Sequence, residues 1–91
     1  MAQIGLGQVV MSQAGRDKGR FMIVVGTTDT NYVYVADGTL RKIENPKKKN
    51  IKHLKATNKR ADQIAEKLAR KRKIKNTEIK EALQELVGEG K

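Results

Sequence analysis

No cysteine occurs among the 91 residues, which excludes disulfides and thiolate zinc sites. His53 is the only histidine, so neither a histidine metal cluster nor a Cys–His nucleophile can be assembled from one chain. Tryptophan is absent and Phe21, Tyr32 and Tyr34 are the only aromatics, which makes aromatic stacking at most a secondary means of binding. The longest purely apolar run, Phe21 to Val25, is far too short to span a membrane. The first residues lack the basic-then-apolar layout of a signal peptide, so a soluble cytoplasmic protein is expected. Gly5 and Gly7 begin a dinucleotide fingerprint, but Val10 stands at its third glycine position, and Gly15 to Gly19 lacks P-loop spacing. A chain this short forms one domain, or one with an appendage, and has no room for a large enzymatic cleft. The expectation is a non-enzyme with no cofactor, no metal, no membrane and no small-molecule substrate.

What the chain does have is positive charge. Twenty Lys and Arg against ten Asp and Glu leave a net charge of +10, which points to a polyanionic partner. The distribution is uneven. Residues 41–75 hold fifteen cations against Glu44, Asp62 and Glu66, whereas residues 1–40 balance and residues 76–91 are mildly acidic. Such asymmetry is an electrostatic footprint rather than general solubilising charge.

Residues 9–11 and 21–25 are apolar and flank a short loop bearing Gly15, Arg16, Lys18, Gly19 and Arg20. This reads as strand–loop–strand, with glycines supplying the backbone freedom of a tight connection and cations at its tip. Thr27 to Asn31 has turn chemistry. Tyr32 to Ala36 alternates as a two-faced strand, and Asp37-Gly38 signals a hairpin with Thr39 to Ile43 as its return strand. Residues 45–50, including Pro46 and Lys47, Lys48 and Lys49, read as a loop, and Ile51 to Lys55 as a short closing strand. Five short strands within about 55 residues suggest a small SH3-like barrel.

The period then changes. Ala61, Ile64, Ala65, Leu68 and Ala69 share one helical face, with Glu66 and Arg70 as an i,i+4 pair. Ile79, Ala82, Leu83, Leu86 and Val87 repeat the spacing, Asn76 or Thr77 is suited to cap the second helix, and Gly88 to stop it. The fold class expected is therefore mainly β with an α-helical C-terminus: a barrel over residues 1–57 and a basic helical hairpin over 58–91. The helices are placed near 60–72 and 77–87, their apolar faces covering each other or one side of the barrel.

Val9-Val10, the segment Ala14-Gly-Arg-Asp-Lys-Gly19, the following Ile-Val-Val strand, Val33 to Gly38 and the stretch around Asn50 to Leu54 together resemble the KOW motif. More narrowly they are similar to a small KOW-containing family of large-subunit ribosomal proteins of archaea and eukaryotes, with short bacterial relatives. The resemblance covers roughly residues 4 to 57. It implies an SH3-like barrel whose Gly15–Gly19 loop and the basic segment before His53 face ribosomal RNA.

Residues 16–20, 47–55 and 70–73 are then expected to share one polyanion surface. Its candidates are Arg16, Lys18, Arg20, Lys47, Lys48, Lys49, Lys52, His53, Lys55, Lys59, Arg60, Lys67, Arg70, Lys71, Arg72 and Lys73, with Gly15 and Gly19 shaping the first loop. His53 reads first as a strand-edge histidine bonded locally, and as an RNA contact second. Tyr32 and Tyr34 read first as surface packing, with base stacking as the alternative. The leading function is a non-enzymatic RNA-binding protein, monomeric off the ribosome, docking on ribosomal RNA through phosphates. An SH3-like protein adaptor and a sequence-tolerant DNA binder remain open, since charge alone does not tell RNA from DNA.

Overall fold

A computed structural model describes residues 4–88. The two apolar runs pair as antiparallel strands, β1 (Gln8–Ser12) and β2 (Phe21–Thr27), with Val9 opposite Ile23 and Met11 opposite Phe21. Between them Gly15 and Gly19 take φ of +76° and +86°, conformations that a side chain makes costly. Strand β3 (Tyr32–Ala36) follows as expected and pairs with β2.

The next segment departs from the sequence reading. Residues Thr39 to Ile43 are not a strand, because the buried carboxylate of Asp37 holds the chain in a local turn. Its Oδ1 accepts the backbone N–H groups of Thr39 and Arg41, both at 2.9 Å. The return strand is instead β4 (Lys47–Asn50), the lysine run expected as a loop, with Tyr34 opposite Lys48 and Val33 opposite Lys49. Lysines suit this position because β4 is an edge strand, where charge discourages pairing with another chain. Ile51–His53 is a single 3-10 turn rather than a strand. The closing strand β5 (Leu54–Arg60) starts after it and runs to Arg60, pairing with β1.

The five strands form one antiparallel sheet in the order β4-β3-β2-β1-β5. It coils strongly. Lys49 on β4 reaches Ser12 on β1, three positions away in the sheet, with Nζ donating to Ser12 Oγ at 3.1 Å. The concave interior is filled by Val10, Met22, Val24, Val33, Val35 and Leu54, as in a small barrel.

The opposite sheet face carries Val9, Ile23 and Ala36, and both helices cover it. Helix α1 (Asp62–Ala69) contributes Ile64, and α2 (Asn76–Val87) contributes Ile79 and Leu83. The helices therefore cover one side of the sheet and share its second core, each through the apolar stripe that its 3.6-residue spacing lays down. Both are close to the expected spans, α1 being shorter at each end. The first ends in a Schellman-type turn: Lys71 N–H donates to Leu68 O (3.1 Å) and Arg72 N–H to Lys67 O (2.8 Å). Lys71 takes φ of +57° there. The second stops at Gly88, as expected, with φ of +66°. Its cap differs from expectation. Lys75 precedes the first turn and its N–H is bound by Glu78 Oε1 at 2.9 Å, while Asn76 is already helical and its side chain is engaged elsewhere.

Candidate nucleic-acid interface

The Gly15–Gly19 connection and the edge strand β4 come together although about thirty residues separate them in sequence. Between them runs a groove of about 410 Å³ lined by Gly15, Arg16, Asp17, Tyr32, Arg41, Lys47, Lys48, Lys49, Asn50 and His53. Five cations therefore line it against the single carboxylate of Asp17. That carboxylate is already occupied: Asp17 Oδ2 accepts from Arg41 Nε at 3.1 Å and Nη2 at 3.0 Å. The fork of the guanidinium fixes Arg41 over the loop and leaves the groove positive.

The three groove lysines differ from one another. Lys47 and Lys48 are exposed, and the Lys48 ammonium lies 4.9 Å from the centroid of the Tyr32 ring, at cation–π distance. Lys49 is only 9 % exposed, unlike its two neighbours in the run. Its side chain points inward from β4 and its Nζ donates to Ser12 Oγ and, at 3.2 Å, to Ala14 O. His53 is exposed on the groove wall, and its backbone carbonyl accepts from Gln13 N–H at 2.8 Å. Tyr32 is an exposed large hydrophobic at 39 %, whereas Tyr34 lies against Gly26 on the neighbouring strand.

The other candidates distribute around the molecule. Arg16 and Lys18 are exposed, but Arg20 is half-buried and pairs with buried Asp37 at 3.2 Å. Lys67 is bonded to Glu78 across the two helices, and Arg70 pairs with Glu66 at 3.5 Å, the i,i+4 contact that the spacing predicts. Arg60 pairs with Asp62 at 3.3 Å. Lys52, Lys55 and Lys59 are exposed on the 3-10 turn and on β5, outside the groove, and Lys71, Arg72 and Lys73 are exposed on the helical link.

The loop 37–46 stitches two of these regions to one another. Arg41 grips Asp17 at one end, and at the other Ile43 N–H donates to Asn76 Oδ1 while Asn76 Nδ2 donates to Glu44 Oε1, both at 2.8 Å. Glu44 is held below the usual carboxylate range by that Asn76 bond first, with Lys42 and Lys73 adding their charge. The groove and the link at 72–76 thus adjoin one loop. Glu78 is likewise lowered, chiefly by the Lys67 bond and then by the Lys75 N–H.

Sequence reasoning missed Arg41, which it took for a strand residue, and the structural duties of Asp17 and Asp37. The signal available was weak: Asp17 lies between Arg16 and Lys18 in the first loop, and Asp37 precedes Gly38 after β3. Among the described residues no cluster of His, Cys, Asp or Glu could hold a metal ion, and no helix is long and apolar enough to cross a membrane.

Comparison with known proteins gives a family. The chain is 32 % identical over 62 residues to the large ribosomal subunit protein eL14 of Methanococcus vannielii, covering 68 % of this chain and 74 % of that protein. It is 34 % identical over the same length to eL14 of two strains of Methanococcus maripaludis, with the same coverage. No protein-family model matches the chain.

Proposed function

Since the chain belongs to the eL14 family of KOW-containing large-ribosomal-subunit proteins, we propose that it is a non-enzymatic RNA-binding protein that docks on structured ribosomal RNA of the large subunit. The observation that carries this reading is the groove, where a rigid barrel edge and a glycine-shaped loop hold four cations besides the Arg41–Asp17 ion pair. Lysine and arginine head groups on such a scaffold pair with phosphate oxygens and fix register without reading sequence. The exposed cations at 16, 18, 47, 48 and 71–73 supply the affinity in this reading, and the sheet supplies the placement. The protein works in the cytoplasm and is a monomer when off the ribosome. Its partner is ribosomal RNA rather than an adaptor's protein ligand.

The test is a salt series of binding to a structured large-subunit RNA fragment, followed by fluorescence anisotropy. With about five to eight phosphates neutralised, log K falls against log salt with a slope of roughly −4 to −7. Binding that is independent of salt, or duplex DNA bound as tightly as the RNA at the same salt, would overturn the proposal. In cells, crosslinking followed by sequencing of the attached RNA recovers large-subunit ribosomal RNA.

A further inference from the structure

A buried cation with no anionic partner is an unusual thing for a small protein to keep. Lys49 is 9 % exposed, yet its Nζ bonds only to neutral acceptors, the Ser12 hydroxyl and the Ala14 carbonyl. No carboxylate among the described residues pairs with it, and Asp17, which shares the groove, is taken by Arg41. Desolvating an ammonium group without a counter-ion costs stability that an apolar chain of similar length would not. The cost is not needed to satisfy the neighbours, because Ser12 Oγ already donates to Ala14 O at 3.0 Å. The charge therefore stands where an anion entering the groove would meet it.

A second observation says what accompanies that anion. Of the two strand tyrosines only Tyr32 lines the groove, 39 % exposed, while Tyr34 packs against Gly26. An aromatic face beside cations is the arrangement on which splayed RNA bases stack, and RNA is read in its loops and bulges for that reason. The groove, about 410 Å³, lies at the small end of ligand pockets, which run from about 300 to 1,000 Å³. That is room for one nucleotide. A continuous duplex would touch the rim alone and leave Lys49 unmet.

We propose that this groove seats one unpaired nucleotide of RNA, with its phosphate against Lys49 and Arg16 and its base on the Tyr32 face opposite the one that the Lys48 ammonium covers. The inference rests on the RNA-binding reading and sharpens it, from phosphate contact in general to recognition of an extruded nucleotide.

Two RNA hairpins that differ only by one bulged nucleotide test it, each titrated with the whole chain at the same salt. The bulged hairpin binds tighter by at least about fivefold, the low end of what stacking on an aromatic contributes. Tyr32→Ala brings the ratio to about one, and Tyr32→Phe keeps it. With 2-aminopurine at the bulge, emission falls on binding to the parent and not on binding to Tyr32→Ala. Lys49→Met weakens binding of the bulged hairpin without lowering the melting temperature. Equal binding of both hairpins, or an undiminished preference in Tyr32→Ala, overturns the nucleotide site while leaving salt-dependent RNA binding in place. A lower melting temperature with unchanged affinity in Lys49→Met makes that lysine purely structural and overturns its share. Failure to bind either hairpin at low salt overturns the RNA-binding reading itself.

Discussion

At Gly38 the backbone takes φ of +83° where α2 crosses the end of β3, and a Cβ there would lie 2.5 Å from Asn76 O and 2.7 Å from Lys80 Cγ. Gly19 has nearly the same φ, +86°, but nothing within 4 Å of its would-be Cβ. The pair separates backbone strain from close approach. Gly19→Ala costs about 1–2 kcal/mol, the penalty of left-handed backbone. Gly38→Ala adds overpacking against a helix backbone and costs about 2–4 kcal/mol. Urea unfolding of both variants measures the difference, and equal losses would mean that α2 shifts freely away from the sheet. The buried carboxylates act at the same scale. Asp37 serves two backbone N–H groups and Arg20 at once, so Asp37→Ala leaves three donors wanting and lowers stability by about 2–4 kcal/mol in the same assay.

The helical link is the element with the clearest tension. Lys71 occupies the C′ position of the Schellman-type turn after α1 with φ of +57°, where glycine is the usual occupant. Lys71→Gly relieves that strain and raises stability by about 1 kcal/mol, read as a melting-temperature rise of roughly 4–8 °C. An unchanged or lower melting temperature would mean that the lysine stem contributes packing that offsets the strain. The first turn of α2 gives a pH-dependent counterpart. Glu78 is held below the ordinary glutamate value, about 4.3, by Lys67 and the Lys75 N–H. Its folded pKa is the lower one, so its contribution is complete above about pH 4.3 and is lost as pH falls through the folded value. Glu78→Gln therefore lowers stability at pH 7 and flattens its fall below about pH 4.3. Acid titration of both forms, followed by circular dichroism, checks this, and parallel curves would remove the bond from the account.

Over the whole molecule, most of the positive charge lies outside the two apolar clusters, Lys49 being the buried exception. The centre of the sheet is buried on both faces, inward by Val10, Met22 and Val24 and outward under Ile64, Ile79 and Leu83, so the exposed cations carry little of the stability. Lys47→Ala with Lys48→Ala accordingly flattens the salt slope of RNA binding by up to about 2 units and leaves the melting temperature nearly unchanged. A full slope in that double variant would move the polyanion surface away from β4. Arg20 and Lys67 stand apart from those two, since each is tied to a carboxylate in the fold.

Local pattern alone determined much of this protein. Period-two and β-branched runs set β1, β2 and β3, period 3.6 set both helices, and Gly15, Gly19 and Gly88 took the positive φ that their contexts implied. The surplus of cations after residue 40 pointed to the polyanionic partner that we propose. Tertiary structure decided what depends on distant partners. Thr39 to Ile43 looks like a strand, but Asp37 holds the chain in a turn, with Arg20 and Asn76 as its remote anchors. Lys47, Lys48 and Lys49 are one run in sequence. Alternation along the strand turns Lys48 away from the face that Lys47 and Lys49 share, and coiling of the sheet carries Lys49 to Ser12 while Lys47, at the start of β4, stays exposed. The groove exists for the same reason. Its walls, the loop after β1 and the edge at β4, are strangers in sequence and become neighbours when five strands curl round one core.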